Sequence, residues 1–143
     1  MEIKILTDPL RAIRRARELY FPLSSTMGEQ MMSKLAYQAL AFGSPEISIV
    51  RHAEWWIFSS SVDWIATRPQ PASEVFTAIV PCPEDGPNSH RYEIVVAAFA
   101  DAYLSIGKDG EKISHGDIEG ISGVLEEDLQ RVPDGRVLAL RLE

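Results

Sequence analysis

The chain has 143 residues, 45% of them hydrophobic, and a formal net charge of −7 with an isoelectric point near 5.0. That length suits one globular domain that buries roughly two-thirds of its unfolded surface. The acidic balance excludes a sequence-independent nucleic-acid binder, whose affinity depends on Lys and Arg displacing counterions from phosphate, and favours solubility or a basic protein partner.

Glu2 to Leu6 alternates as a short strand, and Thr7-Asp8-Pro9 then supplies a capping oxygen and a proline suited to the first helical turn. A helix follows, with Leu10, Ile13, Ala16 and Tyr20 at spacings of three and four, and Pro22 stops it. Thr26-Met27-Gly28-Glu29 has the form of a capping box and opens a second helix that runs to about Phe42, with Gly43 and Pro45 as stop signals. From Ile47 the period changes to two. Ile47 to His52 and Trp55 to Ser61 read as antiparallel strands joined through Ala53-Glu54. The second of them, apolar on both faces at its start, reads as a central strand.

Thr67 to Ser73 reads as a loop, Val75 to Val80 as a strand and Pro81 to Ser89 as a long exposed loop. Tyr92 to Ile106 is consistent with strand or helix; the alternation of Ile94, Val96 and Ala98 with Val95, Ala97 and Phe99 favours a strand with a bulge near Ala100-Asp101. Lys108-Asp109-Gly110 carries the Asp-Gly signal of a tight hairpin. A short helix from about Ile118 to Gln130, with Asp117 as its cap, and a final strand from Arg136 to Leu142 complete the pattern. The fold class is α+β: a single domain spanning residues 1–143, with a mostly antiparallel sheet of five to seven strands, two N-terminal helices and one C-terminal helix.

No reactive-group motif accompanies this pattern. Cys82 is the single cysteine, so no internal disulfide forms and nothing marks an oxidising compartment. It lies between Pro81 and Pro83, away from any helix start that would activate a thiol, with His90 its nearest imidazole. His52, His90 and His115 are widely separated, and His115-Gly116-Asp117-Ile118-Glu119 lacks a fourth metal ligand, so no metal and no cofactor is expected. Asp63 and Asp101 sit in apolar runs where burial would raise a carboxyl pKa, but more simply they bond backbone amides. Arg11, Arg14, Arg15 and Arg17 form the one basic concentration; Glu119, Glu126, Glu127 and Asp128, with Glu84 and Asp85, form the acidic one. No signal peptide or membrane-spanning run of about 18 apolar residues is visible, so the cytoplasm is the default location.

All three tryptophans fall within Trp55-Trp56-Ile57-Phe58 to Asp63-Trp64. With the size and acidity, this stretch resembles the small bacterial immunity proteins that neutralise a cognate toxin. The resemblance implies a cofactor-free inhibitor that binds its partner, a basic toxin domain, directly. Trp55, Trp56, Asp63 and Trp64, with the acidic Glu84, Asp85, Glu126, Glu127 and Asp128, are then the binding residues, and neither nucleic acid nor membrane is a partner. Two alternatives stand beside it. One is a small-molecule or hydrolytic pocket lined by Trp56, Trp64 and Phe99, with Asp63, Asp101 or His52 as its polar groups; ionisable groups meeting in a concavity would favour it. The other is a structural homodimer that pairs through the last strand, Arg136 to Leu142.

Overall fold

The computed structural model describes residues 8–21, 26–66, 71–87, 89–108 and 110–142. The predicted strand at Glu2 to Leu6, the stop at Pro22 and much of the loop from Thr67 lie outside these residues. The elements in chain order are helices α1 (Pro9–Arg15), α2 (Arg17–Tyr20) and α3 (Met27–Ala41), strands β1 (Ile47–His52) and β2 (Trp55–Ser60), helix α4 (Glu93–Phe99), strands β3 (Ala102–Gly107) and β4 (Lys112–His115), helix α5 (Ser122–Leu129) and strand β5 (Arg136–Arg141).

Local chemistry accounts for most boundaries. The Asp8 carboxylate accepts the Arg11 amide at 3.1 Å, with Pro9 in the first turn, as predicted. The first helix is interrupted at Ala16, which leaves two short helices. The hydroxyl of Thr26 takes a hydrogen bond from the Gln30 side chain, so the anticipated capping box at α3 is replaced by a side-chain pair. Ala53 turns the β1–β2 hairpin with φ of +53°, the left-handed value that this two-residue turn requires at its first position.

Five strands form one antiparallel sheet in the order β1-β2-β5-β3-β4. The final strand β5 is therefore central, paired on both sides, and the predicted dimerisation through it is excluded. Its alternation sends Leu138 and Leu140 into a large core under the N-terminal helices and α4, and Val137 and Ala139 into a smaller core under α5. Helices cover both faces, so β2 is buried on both sides.

Two predicted strands are helical. Glu93–Phe99 forms α4, and Ala72–Phe76 forms a 3₁₀ turn where a strand was expected at Val75 to Val80. Helix α4 packs against α1 and this turn and shares the larger core with Phe58, Leu138 and Leu140, and its helical hydrogen bonds satisfy its buried backbone internally. The bulge expected near Ala100-Asp101 is the junction between α4 and β3. Helix α5 begins at Ser122, after Gly120 at φ +83°, and Asp117 holds the Glu119 amide in the preceding turn rather than capping the helix.

Candidate functional site

The tryptophans serve the core. Trp64 is fully buried with its ring edge-on to Phe58, and Trp55 is buried beneath Arg141, whose guanidinium lies 5.3 Å from the ring centre. Trp56 is half-buried between α3 and Arg51, which lies 4.2 Å over its ring. A Cβ placed at Gly28 would come within 2.5 Å of the Trp56 indole, so the glycine makes the seat in which this ring packs. Of the predicted aromatic contact residues, only Trp56 reaches the surface.

Asp63 and Asp101 do not meet. Asp63 lies beside Arg136 at one end of β5, whereas the Asp101 amide bonds the Arg141 carbonyl at the other, roughly 17 Å of strand away. His52 is exposed at the hairpin, and Phe99 lies in a ring cluster with Tyr20 and Phe21. The predicted catalytic pocket is not formed.

Asp63 instead anchors a buried polar cluster. Arg136, only 1% exposed, donates from Nε to Asp63 Oδ1 at 2.7 Å and from Nη2 to Oδ2 at 3.2 Å, while Nη1 donates to Ser105 Oγ at 2.8 Å and Nη2 also reaches Glu111. Burial alone would lower the Arg136 pKa, but the hydrogen bonds and charges of Asp63 and Glu111 outweigh it and hold the value above the ordinary guanidinium range. Asp63 Oδ1 further accepts the amides of Ile65 and Ala66. Gly107 makes room for the pair, since a Cβ there would stand 2.6 Å from Arg136 Nη2.

A second buried cluster links α3 to α4. Glu93 Oε1 accepts from Trp64 Nε1 at 2.7 Å, from Arg91 Nη2 at 3.2 Å and from the Gln38 amide, and Arg91 lies over the Phe42 ring. Among the described residues, Glu93 Oε2 and Arg91 Nε have no hydrogen-bond partner. Gln38 Oε1 accepts the Tyr92 amide at 2.8 Å, which fixes the segment that follows His90. A glutamine inside the apolar stripe of α3 was the one sequence signal of this cluster.

The acidic residues do not form one patch. Glu84 belongs to a 3₁₀ turn at Pro83–Asp85 that packs on α3, while Glu126 and Glu127 lie on α5, across the sheet. Glu126 pairs with Lys112, and Asp128 with Arg131 at 3.7 Å. The Asp85 side chain is outside the described residues. The arginine cluster is also partly committed: Arg14 Nε donates to the Ala98 carbonyl and Arg17 lies over Phe99.

Two features remain open to a ligand or partner. One is the outer edge of β1, where Ile49 and Val50 are 44% and 51% exposed on opposite faces of a strand with no neighbour on that side among the described residues. The other is a cavity of about 500 Å³ between α2, α3 and residues 89–92. There His90 Nδ1 lies 2.7 Å from the Arg91 carbonyl, which can only accept, so Nδ1 carries the proton. In the neutral ring, Nε2 then accepts from the Tyr20 hydroxyl at 3.3 Å. Both ring nitrogens are thus engaged, and Cys82 is fully buried. Tyr92 lines the same cavity, and burial, with a smaller effect of Tyr20, pushes its phenol well above the usual range. It is a neutral donor at any physiological pH.

Among the described residues, no three His, Cys, Asp or Glu side chains gather as a metal-ligand group, and no helix is long and apolar enough to cross a membrane. No protein-family model, curated protein or solved structure matches the chain.

Proposed function

We propose that the chain is a protein-binding inhibitor of the immunity type, and that its partner adds an extended segment to the open edge of β1. The observation that carries this reading is the contrast between the two sheet edges. Strand β4 is four residues long, carries Lys112 and has only Ile113 as an apolar residue, the usual protection of an edge. Strand β1 is six residues long, has no proline, turns its one arginine, Arg51, onto the Trp56 ring, and exposes Ile49 and Val50. Strand addition supplies main-chain hydrogen bonds from such an edge and specificity from the alternating side chains.

Charge supports a basic partner. Exposed Glu46 and Glu54, the latter 4.0 Å from Arg141, flank β1 at its two ends, and the net charge of −7 attracts a basic protein at long range. A segment with an apolar centre and Lys or Arg at its ends matches this edge. The acidic α5 and the loop at Glu84, which lie on opposite sides of the sheet, contribute to that field rather than to one contact surface.

The test compares the wild-type chain with Ile49→Lys/Val50→Lys as bait in a lysate of the native host, with circular dichroism to verify that the exposed substitutions leave the fold intact. A basic partner should be captured by the wild type and lost by at least about tenfold in the variant, since two apolar contacts and a clean edge are removed. Equal capture by both removes β1 from the reading. Recovery of the chain alone as a dimer replaces an inhibitor with a self-pairing subunit.

A further inference from the structure

We infer that the cavity between α2, α3 and residues 89–92 is a binding site for a small zwitterion that carries an aromatic or large apolar group, such as an aromatic α-amino acid. This inference goes beyond the protein-binding reading and rests on different residues.

The cavity volume, about 500 Å³, lies within the range of small-molecule sites. Its walls come from three parts of the chain, α2, α3 and residues 89–92, and the last is bonded to both of the others through Tyr20 to His90 and Gln38 to Tyr92. The 89–92 segment is tied by the Cys82 amide to the Ser89 carbonyl at 2.8 Å and by the Arg91 amide to the Val80 carbonyl at 2.7 Å, while Gln38 holds the Tyr92 amide from α3. His90 is oriented at both ring nitrogens. The wall at residues 89–92 is therefore formed before any ligand arrives, which lowers the entropic cost of binding.

Charge and shape then narrow the ligand. Glu29 and Lys34, both on α3, line this one cavity, and among the described residues neither has an ion-pair partner. A carboxylate and an ammonium carried by one helix along the cavity match a ligand that carries the opposite pair: an ammonium toward Glu29 and a carboxylate toward Lys34. The same cavity is lined by the rings of Tyr20, Tyr92 and His90, beside the polar Gln30, Ser33 and Ser89. At the rim Leu19 is 86% exposed and Tyr37 67% exposed, an apolar surface that a ring or branched side chain would cover. A purely anionic ligand would leave Glu29 repelling it, and a purely cationic one would face Lys34 in the same way.

The experiment is an amide NMR titration of the full chain with L-phenylalanine, compared with phenylpropionate and phenethylamine, which each keep the ring and one charge, and with methyl glucoside as a neutral polyol. L-phenylalanine at millimolar concentration should shift resonances of residues 29–37 and 89–92, and each single-charge analogue should bind about tenfold more weakly. Glu29→Gln should weaken L-phenylalanine but not phenylpropionate; Lys34→Gln should weaken L-phenylalanine but not phenethylamine. Both side chains are exposed, so these variants keep the fold. Equal affinity for a single-charge analogue, preference for the glucoside, or no shift in these residues overturns the proposal. The Ile49→Lys/Val50→Lys variant should titrate like the wild type, so failure at the β1 edge and failure at this cavity are read separately.

Discussion

Replacing Asp63 with alanine removes the main charge partner of an arginine that is 1% exposed. Two hydrogen bonds to the guanidinium disappear, as do the acceptors of the Ile65 and Ala66 amides. Breaking a buried ion pair in this way costs about 3–5 kcal/mol, because the desolvated charge remains without compensation. Glu111 and Ser105 stay with Arg136, which moves the ion-pair cost toward the lower end, about 3 kcal/mol; the two backbone amides add about 1 kcal/mol. A total near 4 kcal/mol is a large part of the about 5–15 kcal/mol that holds such a domain together. Urea unfolding followed by tryptophan fluorescence, at constant denaturant slope, measures it, with Trp64 as a reporter one residue away. Asp63→Asn keeps the shape and the amide acceptor and should cost less. Asp63→Ala/Arg136→Met should recover much of the loss, because it removes the orphaned charge as well. A loss below about 1 kcal/mol in Asp63→Ala would show that Glu111 or water satisfies Arg136, and would refute the reasoning.

Gly28→Ala should destabilise the protein by about 1 kcal/mol: the new Cβ meets the Trp56 indole at 2.5 Å, an overpacking cost of about 1–3 kcal/mol that exceeds the gain of up to about 1 kcal/mol in helix propensity. In a Trp56→Leu background the same substitution should become neutral or stabilising, which paired denaturation midpoints will reveal. The raised phenol of Tyr92 predicts alkaline sensitivity. Unfolded tyrosine loses its proton near pH 10 while the folded one keeps it, so the unfolded state binds fewer protons and stability falls as pH rises above about 10. Tyr92→Phe should flatten that slope in chemical denaturation at pH 9 to 11, leaving the part due to Tyr103, which burial also raises; an unchanged slope contradicts the burial of this hydroxyl.

Some of this protein was settled by local sequence. Strand β1 and the start of β2 follow from β-branched and aromatic alternation around Ala53-Glu54, and α3 follows from the stripe Met31, Leu35, Ala39 bounded by Gly43 and Pro45, because such signals act within a few residues. Strand β5 also carried a clue to its central place, since both of its faces are apolar. Other features were decided by partners distant in the chain. The run from Ile94 to Phe99 suits a strand by side-chain type, yet among the described residues it pairs with no strand of the sheet and closes its hydrogen bonds on itself as α4. Asp63 and Arg136 are 73 residues apart, and no spacing rule could pair them. The acidic residues separated onto two faces because the sheet passes between α3 and α5, and the cavity exists only where α2, α3 and residues 89–92 meet. Periodicity fixes which side of an element is buried; the order in which elements pack decides which polar residues share a site, and that order depends on contacts that no local window contains.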